Sequence, residues 1–191
     1  MTETQTRFGW LFDVYPHGDG MRIWLIDPDG HHHALHDRFA PAFYVHGPRH
    51  ELREVCELLR GMRAHVDLMR DEQIDLFLDR AIEVLKVSVR VPDRLPRLFR
   101  QVADFRPNLT YYNADIPLPQ RYVLERGIFP LAYCAVDVEG DRIQHIEALD
   151  TPYEIDYSLP QLRTMILHLD GDMRDPSRGH RGDLMVEIEG E

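Results

Sequence analysis

The chain has no apolar run approaching the roughly 18 residues that a membrane span requires, so no membrane partner is expected. Its first residues, Met1-Thr2-Glu3-Thr4-Gln5, have neither the basic start nor the apolar stretch of a secretory signal, and a cytoplasmic location is the expectation. Cysteine is scarce. Cys56 and Cys134 fit no metal-ligand spacing, and buried free thiols account for both. Internal repeats and low-complexity segments are absent as well. Basic residues are in the minority, 22 Lys and Arg against 33 Asp and Glu for a net charge of −11, which excludes a chain that coats nucleic acid over its whole surface.

What is present is enough for a core: 191 residues, 43% of them hydrophobic, make one good-sized domain or two small ones. The charge is uneven. Residues 1–46 carry three Arg against six acidic residues, residues 47–130 carry 14 basic against 13 acidic, and residues 131–191 carry five Arg against 14 acidic. Phosphate contacts are therefore expected in the middle third, as a few local contacts and not as a broad footprint.

Turn signals at His17-Gly18-Asp19-Gly20 and Asp27-Pro28-Asp29-Gly30 divide the first part into an antiparallel meander of three short strands. The run His31-His32-His33 with His36 invites a metal, but adjacent strand residues face opposite ways, so only His31 and His33 share a face. A solvated strand edge explains the run without one. A strand over Phe39–Val45 leads to an amphipathic helix at 49–62, with Leu52, Val55, Cys56, Leu58 and Leu59 on one face. Strands at 64–69 and 82–91 follow, with a turn at Arg70-Asp71-Glu72. A second helix, Pro92 to Phe105, turns Leu95, Leu98, Phe99 and Val102 inward, with Arg94, Arg97, Arg100 and Arg106 on or beside its outer face. A strand at Leu109–Ala114 completes a β-α-β-β-α-β order, the split βαβ or ferredoxin-like pattern. Such a sheet can stack bases on aromatics, and Tyr111 and Tyr112 stand on its last strand. Alternatively, one tyrosine enters the core and the other lies on a solvated face. Further on, a hairpin turns at Glu139-Gly140-Asp141, and strands are expected at Leu162–Leu169 and Leu184–Ile188.

Ahead of that hairpin lies Asn113 to Pro130. Pro119 suits the first turn of a short helix, Gln120–Arg126, and Gly127 suits its left-handed stop. The helix offers Tyr122, Val123 and Leu124 for burial and leaves Gln120, Arg121, Glu125 and Arg126 for solvent or a ligand. Asp115-Ile116-Pro117, Arg121-Tyr122, Gly127-Ile128 and Pro130 together resemble the D-I-P-x-x-x-R-Y-x-x-x-x-G-x-x-P signature of family B DNA polymerases. Phe39-x-Pro41-x-Phe43-Tyr44 is similar to the F-x-P-Y-F-Y stretch of the same N-terminal domain, with Ala42 replacing an aromatic.

The resemblance implies an α+β chain in three parts. These are a β-rich segment, 1–46; a ferredoxin-like subdomain ending in the signature helix, 47–130; and a β-rich segment, 131–191, whose hairpins begin an RNase H-like exonuclease domain. It implies a non-catalytic, template-side and scaffolding role, with single-stranded template DNA and the remaining polymerase domains or subunits as partners. Arg121, Tyr122, Tyr112 and Arg97 become candidates for nucleic-acid contact, while an Arg121 paired with Asp115 remains the structural alternative. Phe12, Pro41, Leu95 and Leu118 fall where archaeal members capture template uracil; as apolar residues they equally suit a core. His168 and Asp170 fall where the exonuclease motif D-I-E holds magnesium. Histidine in place of an acid makes that motif degenerate, so no cofactor is expected in this segment, magnesium belonging to the full polymerase. Asp170, Asp172 and Asp175 in a Gly-rich loop read as solvated. A stand-alone ferredoxin-like interaction module, or an accessory piece of a split polymerase, is the alternative function.

Overall fold

The computed structural model describes residues 4–62, 65–75, 79–156, 158–160, 165–169 and 184–188. It divides into two units, Met1–Ser158 and Leu159–Glu191. The architecture is mixed α+β, mostly strands.

The first unit begins with the meander: β1 (Gln5–His17), β2 (Gly20–Ile26) and β3 (His32–Arg38), paired antiparallel. Alternation sets the faces, with Leu11, Val14, Met21, Ile23, Leu25 and Leu35 buried and the residues between them turned outward. The meander does not end as an open sheet. β1 is long enough to pair with β2 through Trp10–His17 and with β8 (Tyr133–Glu139) through Gln5–Trp10, bending at a bulge between Leu11 and Asp13. β8 pairs with β9 (Arg142–Ala148), and β9 meets β3 in parallel at His36 and Arg142. The result is a closed barrel in the order β1-β2-β3-β9-β8. Sequence reading placed residues 131 onward in a separate segment. The barrel runs across that boundary, because Cys134, Val136 and Val138 face inward and complete the core begun by β1–β3.

Between β3 and β8 the chain builds a second sheet. β4 (Ala42–His46), α1 (Arg49–Gly61), β5 (Val66–Asp75), β6 (Arg80–Val89), α2 (Leu95–Phe105, entered through a 3₁₀ turn at Pro92–Arg94) and β7 (Thr110–Tyr112) follow in the split βαβ order. The four strands lie antiparallel as β5-β6-β4-β7. α1 buries Val55 and Leu59, and α2 buries Leu95, Leu98 and Val102, with Phe99 edge-on to Phe43 at 5.7 Å. Arg70, Asp71 and Glu72, expected as a turn, lie in mid-strand. β5 and β6 stay in register from Val66↔Val89 to Asp75↔Arg80, so this hairpin carries polar, exposed residues well beyond the turn the sequence suggested. Barrel, sheet and helices share one continuous buried cluster.

Among the described residues no helix is long and apolar enough to cross a membrane. Cys134 is fully buried and Cys56 partly so; burial, with Asp150 nearby, pushes the Cys134 thiol up to about 12. Thiol titration of the native protein at pH 8 is expected to modify Cys56 alone, with Cys134 reacting only after denaturation. Two equally fast thiols would contradict this core. In the second unit β10 (Met165–Leu169) pairs antiparallel with β11 (Leu184–Ile188). Residues 162–164 of the expected strand, and Asp170, Asp172 and Asp175, lie outside the described residues.

Candidate nucleic-acid interface

The signature segment forms α3, Leu118–Arg126, with Pro119 in its first turn and Gly127 left-handed at φ 66°. The Gly127 N–H donates to the Leu124 carbonyl (3.3 Å) and the Ile128 N–H to Val123 (3.0 Å), the paired bonds of a Schellman stop, with Ile128 buried just beyond. Which residues α3 buries differs from expectation. Leu124 is exposed, whereas Leu118, Arg121 and Tyr122, spaced three and four apart, form the inward face. The reason is polar pairing: the buried positions carry groups whose partners are waiting inside.

Arg121 is buried. Its Nε donates to Glu125 at 2.6 Å and a terminal nitrogen donates to the Asn113 carbonyl at 2.8 Å. Asn113 has φ 57°, so the arginine holds a left-handed residue that ends β7 and turns the chain into Asp115-Ile116-Pro117. Its partner is therefore Glu125 and not Asp115. Tyr122 is fully buried, edge-on to Phe39 with ring centroids 5.2 Å apart, and its hydroxyl donates to Asp37 Oδ2 on β3 at 2.8 Å. The same oxygen accepts from Arg126 Nε at 2.8 Å, and Arg126 also donates to the Arg38 carbonyl at 3.1 Å. Burial, then the Asp37 charge, pushes the Tyr122 phenol far above its ordinary range. Burial is the largest single influence on Arg126 and opposes its charge, but the hydrogen bonds and charge of Asp37, with those of Tyr122, together outweigh it and raise that pKa. α3 thus ties the barrel to the second sheet. Neither Arg121 nor Tyr122 offers a free polar surface to a ligand.

Because Tyr122 and Cys134 are held neutral, their contribution to stability is complete below pH 9.0 and falls as pH rises toward 12. Circular dichroism across an alkaline titration is expected to show cooperative unfolding in that window; an unchanged spectrum at pH 12 would contradict the burial.

The two tyrosines of β7 divide between the sheet faces. Tyr111 packs edge-on to Phe99 (5.4 Å) and donates to the Arg106 carbonyl at 2.7 Å. Tyr112 donates to Asp75 at 2.7 Å, and that bond, before burial, raises its pKa. Arg97 is exposed. With Arg94, His65 and Gln101 it lines a cleft of about 330 Å³ floored by Val89 and Leu98, and no carboxylate lines it. Neither Arg94, Arg97 nor Arg100 has a hydrogen-bond or ion-pair partner among the described residues. The neighbouring Arg90 is committed to Asp67, and Arg106 to Glu54. Three guanidinium groups without an ion-pair partner, Arg94 in the 3₁₀ turn and Arg97 and Arg100 on α2, follow one another at three-residue spacing and can hold phosphate oxygens.

Of the remaining candidates, Pro41, Leu95 and Leu118 are buried, while Phe12 projects half-exposed from the β1 bulge. His31 and His33 both approach the Asp27 carboxylate, at 3.4 and 2.8 Å. His33 Nδ1 also accepts from Arg7 at 2.5 Å, and Asp27 accepts the N–H groups of Asp29 and His31. The His33 bond leads in pulling Asp27 down to about 2. The ligand-type atoms of Asp27, Asp29 and His31 lie within 4.8 Å of one another, and the hydrogen bonds of a tight turn account for that closeness. His168 on β10 faces Glu187 on β11 at 3.4 Å.

The fold has a solved counterpart. Over 96% of its length the chain is similar to the family B DNA polymerase from the hyperthermophilic archaeon Pyrobaculum calidifontis, with a TM-score of 0.59 and 21% sequence identity. It spans 26% of that polymerase's chain. No protein-family model and no curated protein matches the sequence.

One set of exposed aromatic and basic residues escaped the sequence reading. The outward face of β1–β3 carries Tyr15, His17, Arg22, Trp24 and His36. Their alternation with buried residues was legible, but only barrel closure shows that this face is the outside of a closed wall.

Proposed function

We propose that this chain is a non-catalytic, template-side N-terminal region of a family B DNA polymerase, shaping the path of single-stranded template and supporting the remaining polymerase domains. The observation that carries the reading is the fold likeness over 96% of the chain. The D-I-P…R-Y residues lend it support, for they lead into and lie on the helix that ties barrel to sheet. On this reading the signature is architectural, and the cationic row of Arg94, just before α2, with Arg97 and Arg100 on it, makes the phosphate contacts. With a net charge of −11, such contacts are confined to that strip.

The residues at the exonuclease position do not fit a magnesium pair. His168, where the resemblance puts an exonuclease carboxylate, brings an imidazole where two divalent ions need hard carboxylates. We assign no hydrolytic step to this segment.

Fluorescence anisotropy with one labelled oligonucleotide, single-stranded or annealed to its complement, tests the reading. The single strand is expected to bind at least tenfold more tightly. Equal affinities, or preference for duplex, would rule out a template path. Replacing thymine by uracil in the same strand tests for a uracil-sensing surface around Phe12, which would raise affinity further.

A further inference from the structure

We propose that the outer face of β1, β2 and β3 is a base-stacking surface for single-stranded nucleic acid, with Tyr15 and Trp24 as its platforms. Strand register arranges this face in three cross-strand rows: Asp13–Trp24–Ala34, Tyr15–Arg22–His36 and His17–Gly20–Arg38. Each row lies on the side opposite the buried Val14, Ile23 and Leu35. Tyr15 is 39% exposed, and Trp24 donates its indole N–H to the Tyr15 hydroxyl at 3.4 Å, so the two rings stand together on adjacent strands. Ala34, opposite Trp24, leaves low ground beside them. Successive outward positions along a strand are about 6.6 Å apart, close to twice the roughly 3.4 Å repeat of a stacked strand. An extended strand with splayed bases therefore meets one side chain per nucleotide.

The topology supports the same use. A five-stranded closed barrel whose third and last strands meet in parallel has the connectivity of OB-type barrels. Those barrels bind oligonucleotides on strands 2 and 3 between the first and last hairpin loops. Here those loops are His17–Gly20 and Glu139–Arg142, and they border the aromatic rows. The second loop is latched to the face, since His36 N–H donates to the Asp141 carbonyl at 2.8 Å and Arg22 approaches the Asp141 carboxylate at 3.7 Å.

Charge on the face is partly compensated. Asp19 accepts from His36 at 2.9 Å and pairs with Arg38 at 3.3 Å, whereas Asp13 accepts the Val14 N–H and has no cationic partner among the described residues. Binding here draws on stacking more than on phosphate neutralisation, which separates this face from the α2 row. The inference deepens the single-strand reading proposed above by giving it a second face, argued from barrel topology and side chains.

Trp24 reports on its own surface once Trp10, the other tryptophan, is replaced. In a Trp10→Phe background, titration with oligo(dT) is expected to quench the Trp24 emission saturably, and duplex of equal length is not. Trp24→Leu and Tyr15→Leu, which keep apolar bulk and whose folding is checked by circular dichroism, are expected to weaken oligo(dT) binding roughly 5- to 100-fold each. Arg94→Ala/Arg97→Ala should reduce the salt dependence while leaving the quench at saturation. The proposal is overturned if Trp24 emission is unchanged by bound oligonucleotide, or if both leucine variants bind as tightly as the parent. Should the arginine pair alone abolish binding, the stacking face is wrong while the template reading stands. Failure of the parent to bind oligo(dT) at low salt overturns both.

Discussion

Asp37→Ala is expected to lower the stability of the 1–158 unit by about 3 kcal/mol, the largest loss from a single polar truncation here. One carboxylate oxygen accepts both the Tyr122 hydroxyl and the Arg126 Nε, each at 2.8 Å, and its side chain is 9% exposed. Removing it orphans a buried phenol and a cation whose side chain is only one-third exposed. The partial exposure of Arg126 places the cost at the low end for a broken buried pair, because the guanidinium can turn toward water. At about 2–4 °C per kcal/mol for a unit of this size, the melting temperature should fall by about 6–12 °C. Asp37→Asn keeps the shape and one acceptor, and is expected to cost about half as much. A double-mutant cycle with Tyr122→Phe should show coupling of about 1 kcal/mol or more. Strict additivity would mean the two side chains do not share the bond.

Gly20→Ala is expected to be as damaging for a different reason. Gly20 begins β2 opposite Arg38, and a Cβ there would sit 1.8 Å from the carbonyl oxygen of Asp37. Backbone, not a flexible side-chain tip, is the obstacle, so β3 must move. That movement displaces the same Asp37 that anchors α3 and opens the barrel beside its β3–β9 seam. A cost of about 3 kcal/mol is expected, measured by urea denaturation. Gly18→Ala, two residues earlier, meets nothing within 4 Å and loses only its left-handed φ of 61°, about 1 kcal/mol. Similar losses at the two sites would contradict the close approach.

The elements themselves were legible. Hydrophobic period marked α1, α2, the meander and the β8–β9 hairpin, and Pro119 and Gly127 bracketed α3 to within two residues. Closure was not legible, because pairing between β1 and β8 joins residues more than a hundred positions apart and leaves no local mark. The face of α3 was misread for a related reason. Arg121 reads in sequence either as a solvent- or ligand-facing charge or as a buried partner of Asp115; it is buried, but Glu125 and the Asn113 carbonyl satisfy it, and Leu124 is exposed in its place. The polar stretch Arg70–Glu72 read as a turn because strand pairing outran the hydrophobic pattern. The site divided in the same way: Arg97 stood where helical spacing placed it, whereas Trp24 and Tyr15 had no meaning until the barrel wall was closed.

The central claim is that this acidic chain engages single-stranded DNA through a short cationic strip and not through its overall charge. The salt dependence of oligo(dT) binding, followed by anisotropy from low to moderate salt, tests it most directly. Two or three phosphates on Arg94, Arg97 and Arg100 predict a log–log slope of about −1.4 to −2, moving toward zero in the Arg94→Ala/Arg97→Ala variant. Absence of binding at low salt, or a slope that the arginine substitutions leave unchanged, would contradict the account.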